Sequence, residues 1–267
     1  MRAFGWFLVG GLLLGCTGLL GETEEAPEPG RPGKGGDADA DTDSDSDSDT
    51  DSDSDTDSDS DTDADTDADV DLYDFEVACG PWAAVSLGRK RTYEYVDSSL
   101  AGGWSDEVTS YRGGAGELET TMDYTASGYT TTGTQTTRFE CDGGFYLLSS
   151  DATYVTDGRT TRVKVTYDDP VESFPAELAK GTSWTAQYDY SAESTTDGET
   201  YRYSGSYSFK NSVTAEETVD SVVGERPALK LKQEYRQDET TSTSTAWIVE
   251  TVGTVEGDSY ELVEFEP

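Results

Sequence analysis

The chemistry this chain can perform is bounded first by what it lacks. Its 267 residues include no histidine, which removes serine–histidine and cysteine–histidine nucleophilic schemes and every histidine-ligated zinc or iron site. Gly113-Gly114-Ala115-Gly116 lies between strand patterns with no helix after it, so it does not read as a phosphate loop. Paired carboxylates, Asp168 with Asp169 and Glu216 with Glu217, have the residue type for acid–base work. In a chain of formal net charge −38, such neighbours read as turn and surface residues. Asp fills every odd position of 37–71, 18 residues in all. A calcium loop needs Gly at its sixth position and a bidentate Glu at its twelfth. The tract has neither, so the expectation is weak, diffuse divalent-cation binding without a structured cage. No catalytic residue, cofactor site or metal site is assigned.

Three cysteines carry the remaining chemistry. The chain opens with one basic residue, Arg2, and a short apolar run from Phe4 to Leu14, the n-region and h-region of a secretory signal. The run is short for a spanning helix, which needs about 20 apolar residues. It ends in Leu13-Leu14-Gly15-Cys16, which resembles the lipobox of bacterial lipoprotein precursors. The resemblance implies cleavage after Gly15 and a diacylglyceryl group on Cys16, with the new amine also acylated. Leu14 departs from the small residue more usual at that position. A plain signal peptide or an uncleaved anchor is the alternative. One acyl chain binds a bilayer only marginally, and two or three on one cysteine hold a protein there. Thr17, where an Asp commonly retains such lipoproteins in the inner membrane, implies by the same resemblance an outer-membrane or other envelope location. The anchoring membrane is the expected partner.

Residues 16–71 form the expected tether. Residues 17–36 are rich in Gly, Pro and Glu, and the Asp tract alternates with Ser, Thr, Ala and one Val70. Nothing there can build a core, so disorder is expected. Carboxylates about 7 Å apart repel by roughly 0.6 kcal/mol in water, which stretches the chain. At full extension residues 17–71 reach at most about 190 Å, and as a flexible coil about 40 Å. The tract resembles the Ser-Asp repeat stalks of surface-anchored adhesins. Residues 72–267 hold 34 acids against 15 bases. Such a field repels phosphates, so no nucleic-acid partner is expected. Arg89-Lys90-Arg91 reads as a solvated strand end.

Residues 72–267 suit a single domain. Val163, Val165 and Tyr167 alternate with Arg162, Lys164 and Thr166. Leu229, Leu231 and Tyr235 alternate with Lys230, Lys232, Glu234 and Arg236. Tyr201, Tyr203, Tyr207 and Phe209 share one parity around Gly205. Period-two alternation puts one face in a core and one in water, as in antiparallel sheets. Asp157-Gly158 and Asp197-Gly198 fit two-residue hairpin turns. Gly102-Gly103, Gly113-Gly114, Asp142-Gly143-Gly144, Asp168-Asp169-Pro170 and Glu256-Gly257-Asp258 read as further turns. The pattern predicts ten or eleven strands, in an all-β antiparallel meander forming a curved sheet or an unclosed β-barrel. The best helix candidate is a single turn over Pro175-Ala176-Glu177-Leu178-Ala179-Lys180. The Trp and Tyr residues could form a sugar-stacking platform, but their alternating spacing favours core packing. Cys79 and Cys141 are expected to form a disulfide in an oxidising compartment.

Phe174-Pro175-Ala176-Glu177-Leu178-Ala179-Lys180-Gly181-Thr182-Ser183-Trp184, then Ala228-Leu229-Lys230-Leu231, then Ala246-Trp247-Ile248-Val249-Glu250-Thr251-Val252-Gly253-Thr254-Val255 resemble, in that order, uncharacterised periplasmic families of half-barrel type. Those are similar to lipoprotein carriers and lipid-binding lipoproteins. The resemblance implies a concave face able to hold a hydrophobic or lipid-like ligand. Three functions follow as expectations. The first is a non-enzymatic envelope lipoprotein with an open apolar pocket. The alternative is a structural or adhesive display protein, with a filled core and exposed aromatic residues that contact protein or glycan partners. The third is a carboxylate-based hydrolase, which needs two acids at a set separation in a cleft.

Overall fold

The computed structural model describes residues 79–96, 99–237 and 240–267. Cys16 and the Asp tract lie outside the described residues. Twelve strands follow one another in a meander: β1 Lys90–Tyr95, β2 Leu100–Arg112, β3 Ala115–Ala126, β4 Tyr129–Cys141, β5 Gly144–Thr156, β6 Arg159–Pro175, β7 Ser183–Thr196, β8 Glu199–Ser221, β9 Gly224–Gln237, β10 Thr240–Val249, β11 Gly253–Gly257 and β12 Tyr260–Glu266. Every pairing is antiparallel. β1 pairs with β2 on one side and β12 on the other, so the sheet is a closed barrel. This corrects the expectation of a curved sheet or unclosed barrel. Alternation defines which face of each strand is apolar, but whether the first strand meets the last is a long-range matter. Closure removes both sheet edges, whose unpaired backbone groups would otherwise need covering.

The inward faces are those with the apolar parity. Val163, Val165, Tyr167, Leu229 and Leu231 are all buried. Asp157-Gly158 and Asp197-Gly198 make tight hairpins with both residues at positive φ (50° and 79°; 53° and 85°), the geometry that suits the twist of the flanking strands. Other turn signals lie inside strands. Gly102-Gly103 sits in β2, where a Cβ would strike the backbones of Tyr93 and Asp123. Asp168-Asp169-Pro170 forms a bulge in β6, between Thr166, which pairs with Ser149, and Val171, which pairs with Leu147. Proline is tolerated there because no ladder bond is lost.

The bulge has a consequence for the next strand. β6 pairs with β7 only over Thr161 to Tyr167, opposite Thr196 to Tyr190. Below that the two strands part, and side chains fill the wedge. Phe174 and Trp184 stand 6.4 Å apart, and Leu178 is buried between strands on the connecting loop. That loop, residues 176–182, is irregular. The helix expected over Pro175-Ala176-Glu177-Leu178-Ala179-Lys180 does not form, because Pro175 still belongs to β6 and the rest of the segment serves the wedge.

Antiparallel order gives the barrel two distinct ends. The rim carries the hairpins β3–β4, β5–β6 and β7–β8. The floor carries β2–β3, β4–β5 and β8–β9, and residues 79–88 lie across it. Cys79 is disulfide-bonded to Cys141 at the end of β4. Thr251 N donates to Pro81 O at 2.9 Å, and Gly88 N to Val108 O at 2.8 Å. At Gly80 the Ala176 backbone occupies the place of a Cβ. Ala83 and Val85 join the core, and Trp82 packs against it. The segment is a stopper seated on four separate parts of the barrel floor.

Candidate functional site

The site is built by polar residues that occupy inward positions. On β1 and the residue before it, Arg89, Arg91 and Tyr93 share the inward parity and are buried, with 1%, 7% and 4% exposure. Lys90, between the arginines, faces out and lies 3.6 Å from Glu266. The reading of Arg89-Lys90-Arg91 as a solvated strand end is therefore corrected. On β2, Asp106 falls between Trp104 and Val108 on the apolar parity and is 4% exposed. Neighbouring strands place Arg91 opposite Asp106, and Arg91 Nε donates to Asp106 Oδ1 at 2.7 Å. Arg91 Nη1 also reaches the Val252 carbonyl, 161 residues away, at 3.5 Å. Tyr93 Oη donates to the Thr254 carbonyl at 2.9 Å. Arg89 Nη1 donates to the Ala84 carbonyl of the stopper at 2.6 Å.

The polar row continues through the wall. Asp106 pairs with Thr120, and Thr120 with Gln135, all three buried and facing in. Tyr154 Oη donates to Gln135 Oε1 at 2.9 Å, and Gln135 Nε2 to Thr137 Oγ1 at 3.0 Å. Thr120 Oγ1 makes no hydrogen bond. A void of about 30 Å³ lies beside the ion pair, lined by Arg91, Asp106, Trp104 and Tyr260 in the wall and by Trp82 and Val85 of the stopper. That is room for about two water molecules.

Burial works against the charge of both partners. On Arg91 the charge and hydrogen bond of Asp106 more than offset it, holding the guanidinium above its ordinary range. On Asp106 burial raises the carboxyl and Arg91 pulls it back, leaving it above the usual carboxylate range. A guanidinium does not lose its proton in a folded protein, so Arg91 holds its charge and needs Asp106 beside it as counter-charge. Burial likewise pushes Tyr93 up, and Tyr95 to about 12.

Elsewhere the interior is packed with rings. Tyr188 stacks on Tyr207 at 4.6 Å, and Tyr167, Tyr190, Phe209 and Tyr235 surround them edge-on or tilted. At Gly205 the Tyr190 ring fills the space a side chain would need. Toward the rim the pattern turns to hydroxyls. Thr131 and Thr156 are 2.9 Å apart, and Thr161 and Thr196 2.8 Å. Among the described residues, four of the six exposed large apolar side chains lie at or next to rim ends of strands: Val96, Tyr129, Val155 and Tyr201. The Tyr201 hydroxyl donates to Glu199 at 2.7 Å.

The carboxylate pairs singled out from sequence are not brought together. Asp168 and Asp169 are exposed on the β6 bulge, and Glu216 and Glu217 are exposed on β8. Glu217 is engaged by Trp247 Nε1 at 3.0 Å and Lys230 at 3.7 Å. Among the described residues no group of three or more His, Cys, Asp or Glu side chains is placed to hold a metal ion, and no helix is long and apolar enough to cross a membrane. Arg91 and Asp106 were missed from sequence, though one signal was present: Asp106 is a charged residue at an apolar-parity position.

No family model matches the chain, and no curated protein matches it. Among solved structures it is similar to the crystal structure of "a putative lipoprotein from Parabacteroides distasonis", with a TM-score of 0.32 and 10% identity, covering 72% of this chain and 100% of that chain. A likeness that distant carries no argument about site or function.

Proposed function

We propose that this chain is a non-enzymatic cell-envelope lipoprotein, anchored through Cys16, that displays its barrel on the acidic tether and works through partner contact at the rim. The observation that carries this reading is the filled interior. A void of about 30 Å³ is an order of magnitude below the roughly 300 Å³ at which small-molecule pockets begin. That void is too small for a hydrophobic or lipid-like ligand, the other function expected of an envelope half-barrel. The exposed apolar side chains at the rim, Tyr201 at 60% and Val96 at 54% among them, supply contact surface for a protein or glycan. The Asp tract adds weak divalent-cation binding along the tether.

Native mass spectrometry on the full chain bearing Cys16→Ser, recovered from the envelope of its host without detergent, tests the barrel's part. The expected mass is that of the polypeptide less the two hydrogens lost in one disulfide. A co-purifying lipid that dissociates on activation would overturn display in favour of carriage. Mass analysis of the unaltered chain's N-terminal peptide tests the anchor separately. It is expected to begin at an acylated Cys16, and an uncut or unacylated N-terminus would remove the lipoprotein reading.

A further inference from the structure

We propose that the mouth of the barrel, over the rim ends of β4 to β8, binds a neutral glycan chain. This rests on the reading of the rim as the contact surface, and it names the partner that surface fits.

The residues at these strand ends continue the inward parity of the strands below them. Thr156 shares the parity of Ala152 and Tyr154, Thr161 that of Val163 and Val165, and Thr196 that of Tyr190 and Ala192, whose side chains are buried. Strand register joins the ends in one arc. Thr131 pairs with Thr156, Thr161 with Thr196, Thr196 with Glu199, and Ser194 with Tyr201. Four spacings between adjacent strands make the arc about 20 Å long, enough for several sugar units in a row. Below it, Tyr190 and Tyr203 meet edge to face at 6.3 Å and fill the lumen. A ligand here lies across the mouth.

Two hydroxyl pairs dominate the arc, Thr131 with Thr156 at 2.9 Å and Thr161 with Thr196 at 2.8 Å, both partly buried. Within each pair one hydroxyl donates to the other, so one O–H and several lone pairs remain for a ligand. A carboxylate only accepts and an ammonium only donates. A sugar hydroxyl does both, and so satisfies the pair from either side. Rings flank the hydroxyls: Tyr201 is 60% and Tyr129 48% exposed, and the Tyr201 hydroxyl is held by Glu199. Such rings offer an apolar face to the C–H side of a sugar and a polar tip at the edge. Hydroxyl pairs set between the rings differ from the clustered, fully desolvated anchors of a protein interface. Residues 72–267 hold 34 acids against 15 bases, and that field repels acidic glycans, which leaves neutral ones.

The test is a titration of the full chain bearing Cys16→Ser, with its threonine methyls followed by NMR. The probes are hexamers of α-linked glucose, β-linked glucose, β-linked mannose and β-linked N-acetylglucosamine, with a galacturonic acid hexamer as the acidic counterpart. At least one neutral hexamer is expected to shift the methyls of Thr156, Thr161 and Thr196 and to leave those of Thr214 and Thr218, toward the floor end of β8, unmoved. Tyr201→Ala removes an exposed ring and is expected to weaken that binding about tenfold. Thr161→Val/Thr196→Val replaces both hydroxyls of one pair by groups of the same shape and strands no polar atom, and binding is expected to fall several-fold. The methyls away from the mouth report that each variant is folded. The proposal is overturned if no neutral hexamer shifts the mouth methyls, if the acidic hexamer binds as tightly as the best neutral one, or if binding survives both variants unchanged. The mass measurement on the barrel involves no sugar, so display and glycan binding fail separately.

Discussion

The floor and the rim of this barrel are made by opposite means. The floor joins parts of the chain that are far apart: Cys79 to Cys141 across 62 residues, and Arg91 to Val252 and Tyr93 to Thr254 across 161. It contains the buried charges and the stopper. The rim carries hairpins with local cross-links, Thr125 to Thr130 and Thr195 to Thr200, each five residues apart, and its contacts between neighbouring hairpins are hydroxyl pairs 25 and 35 residues apart, Thr131 with Thr156 and Thr161 with Thr196. The floor therefore depends on the barrel having closed, while the rim depends on turns and on adjacent strands. Changes at the floor should cost the whole domain, and changes at the rim should be absorbed locally.

Alkali should give the largest effect and reveal the difference between the two regions. Burial holds the interior tyrosines neutral, Tyr95 to about 12 and Tyr93, Tyr154, Tyr167 and Tyr207 upward as well. Their folded values lie above the unfolded value of about 10. Their contribution is thus complete below about pH 10 and is lost as pH rises toward 12 and beyond. Phenolate absorbance and far-UV circular dichroism should change together in one steep transition. Tyr201, raised by its hydrogen bond to Glu199, should ionise with the barrel intact. Gradual ionisation of all tyrosines near pH 10 with unchanged β signal would contradict the packing described.

The ion pair comes next. Asp106→Leu should cost about 3–5 kcal/mol, because it leaves Arg91 charged and buried without its counter-charge. Adding Arg91→Met to that variant should recover most of the loss. Denaturant unfolding of the two single variants and the double one measures this, and a double variant no more stable than Asp106→Leu would sink the account. Replacing Cys79 and Cys141 together by Ala should cost about 4 kcal/mol on the chain-entropy view of a loop this long, read from the same unfolding curves. At the rim, Thr131→Ala removes one cross-strand hydroxyl pair and should cost under about 1 kcal/mol. A loss as large as that at the floor would erase the distinction between the two ends.

Much of the strand pattern could be read without a structure, because it is periodic and local. Val163, Val165, Tyr167, Leu229 and Leu231 face inward as their alternation with charged residues requires, and Asp157-Gly158 and Asp197-Gly198 turn as their backbone freedom allows. The same local reasoning mistook Gly102-Gly103 and Asp168-Asp169-Pro170 for turns. Those residues answer to neighbouring strands, through close backbone approach in one case and a bulge in the other. Of the site, Arg89 and Arg91 were read as solvent-facing, since three bases in a row look alike until the strand is oriented.

By itself, then, the amino-acid sequence determined that the described region is antiparallel β, which faces are apolar, and that the chain carries no histidine. Only the tertiary structure decided that β1 meets β12, that Asp106 lies opposite Arg91, and that tyrosine rings and the stopper pack into the interior. Periodicity and turn propensity act between residues a few positions apart. Closure and charge pairing act between residues that become neighbours only once the chain has curled through twelve strands.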